Sequence, residues 1–318
     1  MFQHSNFRQT GLGAAVTIAE LIYHSIVRNI RKSHGNALLS ILTNMMQAAV
    51  FVLAFYVMFT LLGLRGAALR GDFMLYIMSG IFLYMTHTKT LGAVVGSEGP
   101  ASPMMKHAPL NTIIVIAAAA LGTLYIQVLS LVVILFGYHT LFTPITIDQP
   151  VPAFGMLLIA WYTGLSLGVL LLSIKPWFPT FVSIFTTIYQ RANMIASGKM
   201  FVANTLPAFM LALFDWNPLF HAIDQARGFV FINYTPRYSS YEYAIIVGTV
   251  LLMIGLMGEF YTRRHASVSW SARRGSIDDP QRQVDAPGFR QKPRRPETDA
   301  IDTVERHARG AAHPQNIT

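Results

Sequence analysis

Cysteine is absent from the sequence, and charged residues are scarce in it. Without cysteine the chain has no disulfide framework, no thiolate metal site and no thiol nucleophile. Only 12% of the 318 residues are charged, whereas a soluble globular domain carries about 25%, and 53% of the residues are hydrophobic. This scarcity of charge at this length predicts an integral membrane protein.

The basic residues concentrate in the two end segments. A net charge of +9 would suit a nucleic-acid-binding protein, but this distribution is more typical of the cytoplasmic flanks of a membrane protein. No nucleic-acid partner is therefore expected. The basic residues next to the apolar region are Arg28, Arg31, Lys32, Arg263 and Arg264, and residues 138–151 contain no Lys or Arg. This asymmetry predicts that both termini are cytoplasmic.

Six apolar segments are long enough to be spanning helices, which need about 20 residues. The predicted fold is an all-α integral membrane protein with six transmembrane helices. The predicted spans are Ala37–Leu64, Phe73–Val95, Thr112–Gly137, Pro152–Ile174, Phe178 to near Gly198, and Tyr243–Tyr261.

The flanks of this six-span domain (residues 36–264) differ from it in composition. In the N-terminal segment (residues 1–35), apolar residues recur at helical spacing from Ile18 to Ile30, which predicts an amphipathic helix in the cytoplasmic interface. A polar lead-in to the first span is the alternative. Residues 265–318 are charged, rich in Pro and Gly and poor in apolar residues, which predicts a disordered cytoplasmic tail.

Polar residues and prolines interrupt the fifth apolar region. Charged or broken backbone at membrane depth survives only when it is buried in protein or lines water. We therefore expect the fifth span to end near Gly198 and a short apolar element to begin after Pro207. Asn217 and Pro218 then form a helix start signal, with Asn as the N-cap. This pattern predicts a re-entrant external hairpin after the fifth span.

Two charged residues follow that helix start signal. Asp224 and Arg227 lie three residues apart, so a helix would place them on the same side. If this short helix packs against the fifth span, both charges are partly removed from water, and removing one is costly.

The loop after the second span, residues 94–110, combines prolines with an apolar pair. Pro100, Pro103 and Pro109 limit any helix to one or two turns. Met104 and Met105 stand beside Lys106 and offer an adaptable apolar surface. This loop could press into a groove on a soluble partner, and an ordinary turn between spans is the alternative.

Motifs for catalysis and cofactor binding are missing. The stretch "SGKM" (Ser197–Met200) lacks the upstream glycine and the final hydroxyl of a phosphate-binding loop, so the chain has no nucleotide-binding motif of its own. No nucleophile elbow or zinc-protease motif occurs, and neither His87 nor His107 has an acidic cluster nearby. We expect no enzyme activity, cofactor or metal, and interpret the chain as a passive pore powered by another chain.

The order of motifs around the fifth span resembles a known family. The run "RANMIASGKMFVANTLPAF…DWNPLFHAIDQAR" is similar to the channel subunits of ABC exporters of capsular polysaccharide and lipopolysaccharide O-antigen, in the ABC-2 type permease superfamily. The resemblance covers roughly residues 18–264. The matching residues, in order, are Arg191, Ser197, Gly198, Pro207, Asn217, Pro218, His221, Asp224 and Arg227.

The resemblance implies a function and its partners. Such subunits form homodimers in the bacterial inner membrane, and two copies of a separate ATP-binding subunit dock on the cytoplasmic face. A lipid-linked polysaccharide leaves through the channel between the two permease chains. By this analogy, residues 215–236 form the external rim of the pore, and the loop at Met104–Lys106 couples to the ATPase.

Aromatic side chains are candidates for contact with a sugar polymer. Trp161, Tyr162 and Tyr189 could line the pore, and packing within the helix bundle is the alternative for Trp161 and Tyr162. Two other functions stay open. An ABC-2 exporter of a lipid or drug would share this fold, and a membrane-bound acyl- or glycosyltransferase would need a polar catalytic cluster.

Overall fold

The computed structural model describes residues 17, 19–27, 37–63, 71–97 and 112–265 of the protein. Within these ranges the chain is helical and has no strand. Residues 19–27 form an N-terminal helical segment, and a short 3-10 turn covers Ala203–Thr205. The longer elements are α1 (Ala37–Leu61), α2 (Phe73–Val95), α3 (Thr112–Leu141), α4 (Pro150–Ile174), α5 (Pro179–Ala196), α6 (Ala208–Phe214), α7 (Pro218–Val230) and α8 (Tyr241–His265).

Four of these helices are long and apolar enough to cross a membrane. They are α1 from Ile41 to Leu61, and the whole of α3, α4 and α8. Helices of 21 to 30 residues rise about 30–45 Å, which covers the roughly 30 Å hydrocarbon core. The described part of the chain is therefore an all-helical fold of the kind found in membranes.

Helix α2 occupies the centre of the bundle. Sixteen of its 23 residues are buried, and it packs against α1, α3, α4 and α7. The same helix contains the polar residues His87 and Lys89. Because neighbouring helices surround it, α2 can carry polar groups that an exposed apolar helix could not.

Glycines allow α4 to approach two neighbours closely. A Cβ on Gly164 of α4 would lie 2.5 Å from the carbonyl oxygen of His87 in α2. A Cβ on Gly255 of α8 would lie 2.7 Å from the backbone nitrogen of Leu170 in α4. Small residues at helix contacts are typical of membrane proteins, where close backbone packing replaces the hydrophobic driving force.

Polar side chains tie the helices together at both ends of the bundle. At one end, the Asp72 carboxylate caps α2 and accepts a hydrogen bond of 2.9 Å from the Tyr138 hydroxyl of α3. At the other end, Lys175 after α4 donates to the carbonyl of Val95 at 2.6 Å. There the indole of Trp177 also donates to Thr262 of α8 at 2.9 Å.

Helices occupy all six segments that the sequence predicted as spans. Their ends differ by a few residues: α1 ends at Leu61 rather than Leu64, α3 runs on to Leu141, and α8 extends at both ends. The N-terminal helical segment lies inside the predicted amphipathic helix. The loop at Met104–Lys106 and the tail from residue 266 lie outside the described residues.

Candidate functional site

The chain reverses direction immediately after α5, in a short loop of residues 197–202. Gly198 adopts φ of +73°, a conformation that glycine reaches without strain. A Cβ at this position would lie 2.6 Å from the ring of Phe220 in α7. Ser197, Gly198 and Lys199 are all buried, so this loop is packed inside the bundle.

Arg227 of α7 holds this loop through its backbone carbonyls. The guanidinium is fully buried and donates to the carbonyl oxygens of Gly198 at 2.8 Å and Lys199 at 2.6 Å. It also donates to the carbonyl of Phe201. One side chain thereby satisfies three carbonyls of an irregular segment, which would otherwise be costly to bury.

Asp224, one helical turn earlier, binds the far end of the same segment. Its carboxylate accepts hydrogen bonds from the backbone N–H of Ala203 at 3.2 Å, the Tyr234 hydroxyl at 2.5 Å and the Ser239 hydroxyl at 2.7 Å. Burial, together with the nearby Asp224 charge, raises the pKa of Tyr234, so its hydroxyl stays a donor. Among the described residues, no ion pair joins Asp224 to Arg227, because each charge has its own partners.

Two buried cations lie over tyrosine rings on one face of α2. The Arg227 guanidinium is 4.3 Å from the ring centre of Tyr76, and the Lys199 ammonium is 3.7 Å from that of Tyr84. Between the two tyrosines, a Cβ on Gly80 would lie only 2.9 Å from the Lys199 carbonyl. The spacing of four residues places all three positions on one face of the helix.

The Lys199 ammonium is held by aromatic rings. It lies 4.7 Å from the ring centres of both Phe51 and Phe55 in α1, in addition to its contact with Tyr84. Lys199 is 2% exposed, and no described residue makes a hydrogen bond to its ammonium. Burial lowers the pKa of Lys199 to about 7. Cation–π attraction is strongest where water is excluded, so these rings favour the protonated form of Lys199 and link the loop to α1.

Asn217 joins the end of α5 to the start of α7. Its side-chain oxygen accepts from the Leu219 N–H at 3.1 Å, which makes it the N-cap, and Pro218 is the first helical residue. Its side-chain nitrogen donates to the Ala196 carbonyl at 3.0 Å and to the side chain of Asn193 at 2.7 Å. The helix start that the sequence predicted at Asn217 and Pro218 is confirmed. The Asn217 side chain also satisfies the carbonyl of Ala196, the last residue of α5.

Helix α7 is much more buried than a rim helix in water would be. Ten of its 13 residues are buried, including both charged residues. By contrast, α6, which begins after Pro207, has no buried residue. Helix α6 is therefore exposed, whereas α7 is inserted among α2, α4 and α8.

His221 of α7 forms hydrogen bonds with the residue after α6 and with the residue before α8. Its Nδ1 accepts from the Ser240 N–H at 3.0 Å, so Nε2 carries the proton and donates to the Asp215 carbonyl. Burial lowers the pKa of His221 below its ordinary value of about 6.5. The neutral ring is therefore the form that fits this junction.

Helix α5 makes few contacts with the rest of the bundle, and only Val182 and Asn193 are buried. At 3.6 residues per turn, its exposed surface divides into two sectors. The α5 apolar sector contains Phe181, Ile184, Ile188 and Ile195. The α5 polar sector contains Thr180, Ser183, Thr187 and Arg191, together with the exposed Met194.

The three candidate pore aromatics make hydrogen bonds inside the bundle. The Trp161 indole donates to the Ala120 carbonyl of α3 at 2.9 Å, and the Tyr162 hydroxyl lies 3.0 Å from the Thr249 hydroxyl of α8. The Tyr189 hydroxyl lies 3.1 Å from Nε2 of the buried His87. These contacts favour helix packing as the role of Trp161 and Tyr162.

The structure gathers most of the predicted rim residues at one place. Ser197 and Gly198 lie in the loop after α5. This loop and its two ends are held by Asn217, Asp224 and Arg227. Arg191 lies apart from them, on the α5 polar sector. Within the described ranges, no group of three or more His, Cys, Asp or Glu residues could hold a metal ion.

Sequence reasoning missed the tyrosine face of α2 and the burial of Lys199. The spacing of Tyr76, Gly80 and Tyr84 was the available signal.

No protein-family model matches the sequence, and no curated protein matches it significantly.

Proposed function

We propose that the chain is the membrane-spanning channel subunit of an ABC exporter that moves a lipid-linked polysaccharide across the bacterial inner membrane. A second copy of the chain completes the channel, and two copies of a separate ATP-binding subunit supply the energy. Both termini lie in the cytoplasm. An ABC-2 exporter of a lipid or drug is the alternative, and a membrane-bound transferase is less favoured.

The proposal treats α2 and α5 as spans beside the four strongly apolar helices. Helix α2 has 23 residues and α5 has 18, which correspond to about 35 and 27 Å. The buried polar groups of α2, such as His87, are compatible with a membrane because the bundle encloses them. The six spans then run from a cytoplasmic α1 start to a cytoplasmic α8 end.

One observation carries the channel assignment: the α5 polar sector is exposed on the outside of a membrane subunit. A charged side chain such as Arg191 is expensive to place against lipid tails and normally faces water or protein. The neighbouring apolar sector, with Ile184 and Ile188, suits lipid contact. Helix α5 therefore stands at a boundary between lipid and a water-filled passage.

The hairpin between α5 and α8 fits a re-entrant closure of the external mouth. Helix α7 has 13 residues, about 20 Å, which is too short to cross the hydrocarbon core. Irregular backbone at membrane depth requires internal hydrogen-bond partners. Arg227 and Asp224 supply those partners to residues 198–203.

The chemistry of the α5 polar sector favours a glycan over a lipid or an apolar drug. Thr180, Ser183 and Thr187 offer hydroxyl groups, and Arg191 offers several N–H donors. Such scattered hydrogen-bonding groups suit a hydroxyl-rich polymer that must slide without binding tightly. A passage for lipid tails would need an apolar lining instead.

The energy source is assigned to a partner because the sequence has no nucleotide-binding motif. The contact with that partner is assigned to the cytoplasmic loop at Met104 and Met105. Affinity purification of the tagged chain from its native membrane tests this directly. We expect a subunit with a phosphate-binding loop to co-purify in a 1:1 ratio.

A variant in which both Met104 and Met105 are changed to Asp tests whether this loop binds the ATPase subunit. We expect it to insert normally and to lose the ATPase subunit, since charged groups replace apolar contacts. The complementary control is Phe142→Asp. Phe142 is exposed after α3, on the external side in this topology, so the change should leave the ATPase subunit bound. Full recovery of the ATPase with the Met variant would refute the coupling assignment.

A further inference from the structure

An open groove of about 400 Å³ runs along the surface of α1. Its walls are Thr43, Met46, Gln47, Val50, Phe51 and Ala54. Met46 and Val50 are each 61% exposed, although both are large apolar side chains. The volume lies within the range of about 300–1,000 Å³ that is usual for small-molecule sites.

A cation lies beside this groove, in contact with one of its walls. The Lys89 ammonium of α2 donates to the side-chain oxygen of Asn44 at 3.2 Å and to that of Gln47, which forms a groove wall. Both acceptors are neutral amides, and no described carboxylate forms an ion pair with Lys89. Since an ammonium has three N–H groups, one donor and the whole charge remain for an anion.

The length of the groove corresponds to one leaflet of a bilayer. From Thr43 to Ala54 the helix advances eleven residues, which is about 16 Å along its axis. Half of the hydrocarbon core is about 15 Å. The polar end, at Thr43 and Gln47, is the end nearer the start of α1, and the apolar end lies nearer the bilayer centre.

We propose that this groove binds one anionic phospholipid of the inner leaflet, with its phosphate at Lys89 and an acyl chain along Met46, Val50 and Ala54. The assignment to the inner leaflet rests on the cytoplasmic start of α1 in the proposed function. Charge complementarity identifies the occupant: an anionic phospholipid brings a net negative charge to Lys89, whereas the phosphate of a zwitterionic lipid is accompanied by its own cation and an uncharged ligand brings no compensating charge.

Native mass spectrometry of the purified full-length chain tests the site without ATP, glycan or partner subunit. The delipidated protein is titrated with phosphatidylglycerol or with phosphatidylcholine of the same acyl chains. We expect wild-type protein to retain phosphatidylglycerol preferentially. Lys89→Gln should weaken that binding by about tenfold and weaken phosphatidylcholine binding much less, so that the preference disappears, whereas Lys89→Arg should retain the preference.

A second pair of variants tests the acyl-chain part of the groove. Val50→Trp fills the groove and should reduce phosphatidylglycerol binding as strongly as Lys89→Gln does. Val57→Trp lies on the exposed surface of α1 beyond the groove, so it should bind the lipid like wild type. Thermal unfolding of each variant identifies any that fail to fold.

Three results would overturn the proposal. One is equal binding of the two lipids by wild-type protein, and another is an undiminished preference in folded Lys89→Gln. The third is a Val50→Trp variant that keeps its lipid but loses the second copy of the chain, which would make the groove a protein interface. Because transport is not measured, failure here leaves the exporter proposal standing.

Discussion

Arg227 lies fully buried with its guanidinium carbon 4.3 Å from the ring centre of Tyr76, and its N–H groups reach the carbonyls of the loop after α5. Helix α7 is thereby joined to the central helix α2 through a single side chain. The charge is compensated by a ring face and backbone dipoles rather than by a carboxylate. Several measurable consequences depend on this arrangement.

Arg227→Ala should destabilise the protein by about 3 kcal/mol or more, since it leaves three buried carbonyls without their donor and each costs about 1–3 kcal/mol. Thermal unfolding in detergent measures the effect. Arg237→Ala is the matched control, because that side chain is exposed in the loop after α7. Equal stability of the two variants would refute the buried role of Arg227.

The changes Asp224→Ala and Arg227→Ala should be less than additive. The two side chains bind opposite ends of residues 198–203, so losing either one loosens the segment that the other holds. A double-mutant cycle of unfolding free energies should give a coupling of about 1 kcal/mol. Strict additivity would mean that the two charges act independently.

Gly80→Ala should weaken packing between α2 and the loop after α5. The added Cβ would lie 2.9 Å from the Lys199 carbonyl and 3.0 Å from the Arg227 guanidinium, and such overpacking costs about 1–3 kcal/mol. Gly137→Ala in α3 has no atom within 4 Å of the new Cβ and should stabilise the helix by about 0.5–1 kcal/mol. A melting temperature that rises in both variants would contradict the close approach.

The junction at His221 should weaken in acid. Because burial lowers the pKa of His221 in the folded state, its contribution to stability is present above pH 6.5 and is lost as the pH falls toward the folded pKa. We expect the melting temperature to fall between pH 7.5 and 5, and to fall less in His221→Gln. His265→Gln, at the exposed end of α8, should follow the wild-type profile. If the melting temperature of His221→Gln depends on pH as in the wild type, a group other than His221 causes the acid sensitivity.

Water should reach the α5 polar sector in the membrane. The absence of native cysteine allows single cysteines to be introduced without background. In intact membranes, Ser183→Cys and Thr187→Cys should react with a charged thiol reagent. The neighbouring Ile184→Cys and Ile188→Cys should stay unreactive against lipid. Similar labelling of all four positions would show that α5 does not separate lipid from water.

The helices were predictable from the sequence because long apolar runs and cap residues are local signals. The second predicted span coincides with α2, and the Asn217–Pro218 start of α7 is where the sequence placed it. Both features depend only on neighbouring residues. Helix α8 extends beyond its predicted span because helices tolerate polar residues such as Glu242 and Arg263 at membrane surfaces. Helix α1 ends earlier than predicted, just before Gly63, which has a φ of +69°.

The contacts of the candidate site were less predictable because they join distant parts of the chain. Asp224 and Arg227 were expected to face the same side, which suggested a mutual pair, but each binds different residues, 10 to 29 positions away. In the sequence, Lys199 stood out only as part of an incomplete phosphate-binding motif. Its aromatic partners lie on α1 and α2, far away in the sequence. Only tertiary packing specifies such partners.

The location of polysaccharide in cells that lack this chain tests the exporter assignment most directly. The gene is deleted in its native host, and polysaccharide is quantified separately at the cell surface and in the cytoplasm. The account predicts loss from the surface with accumulation of long chains inside, both reversed by the wild-type gene. Normal surface polysaccharide, or loss of the polymer without internal accumulation, would contradict it.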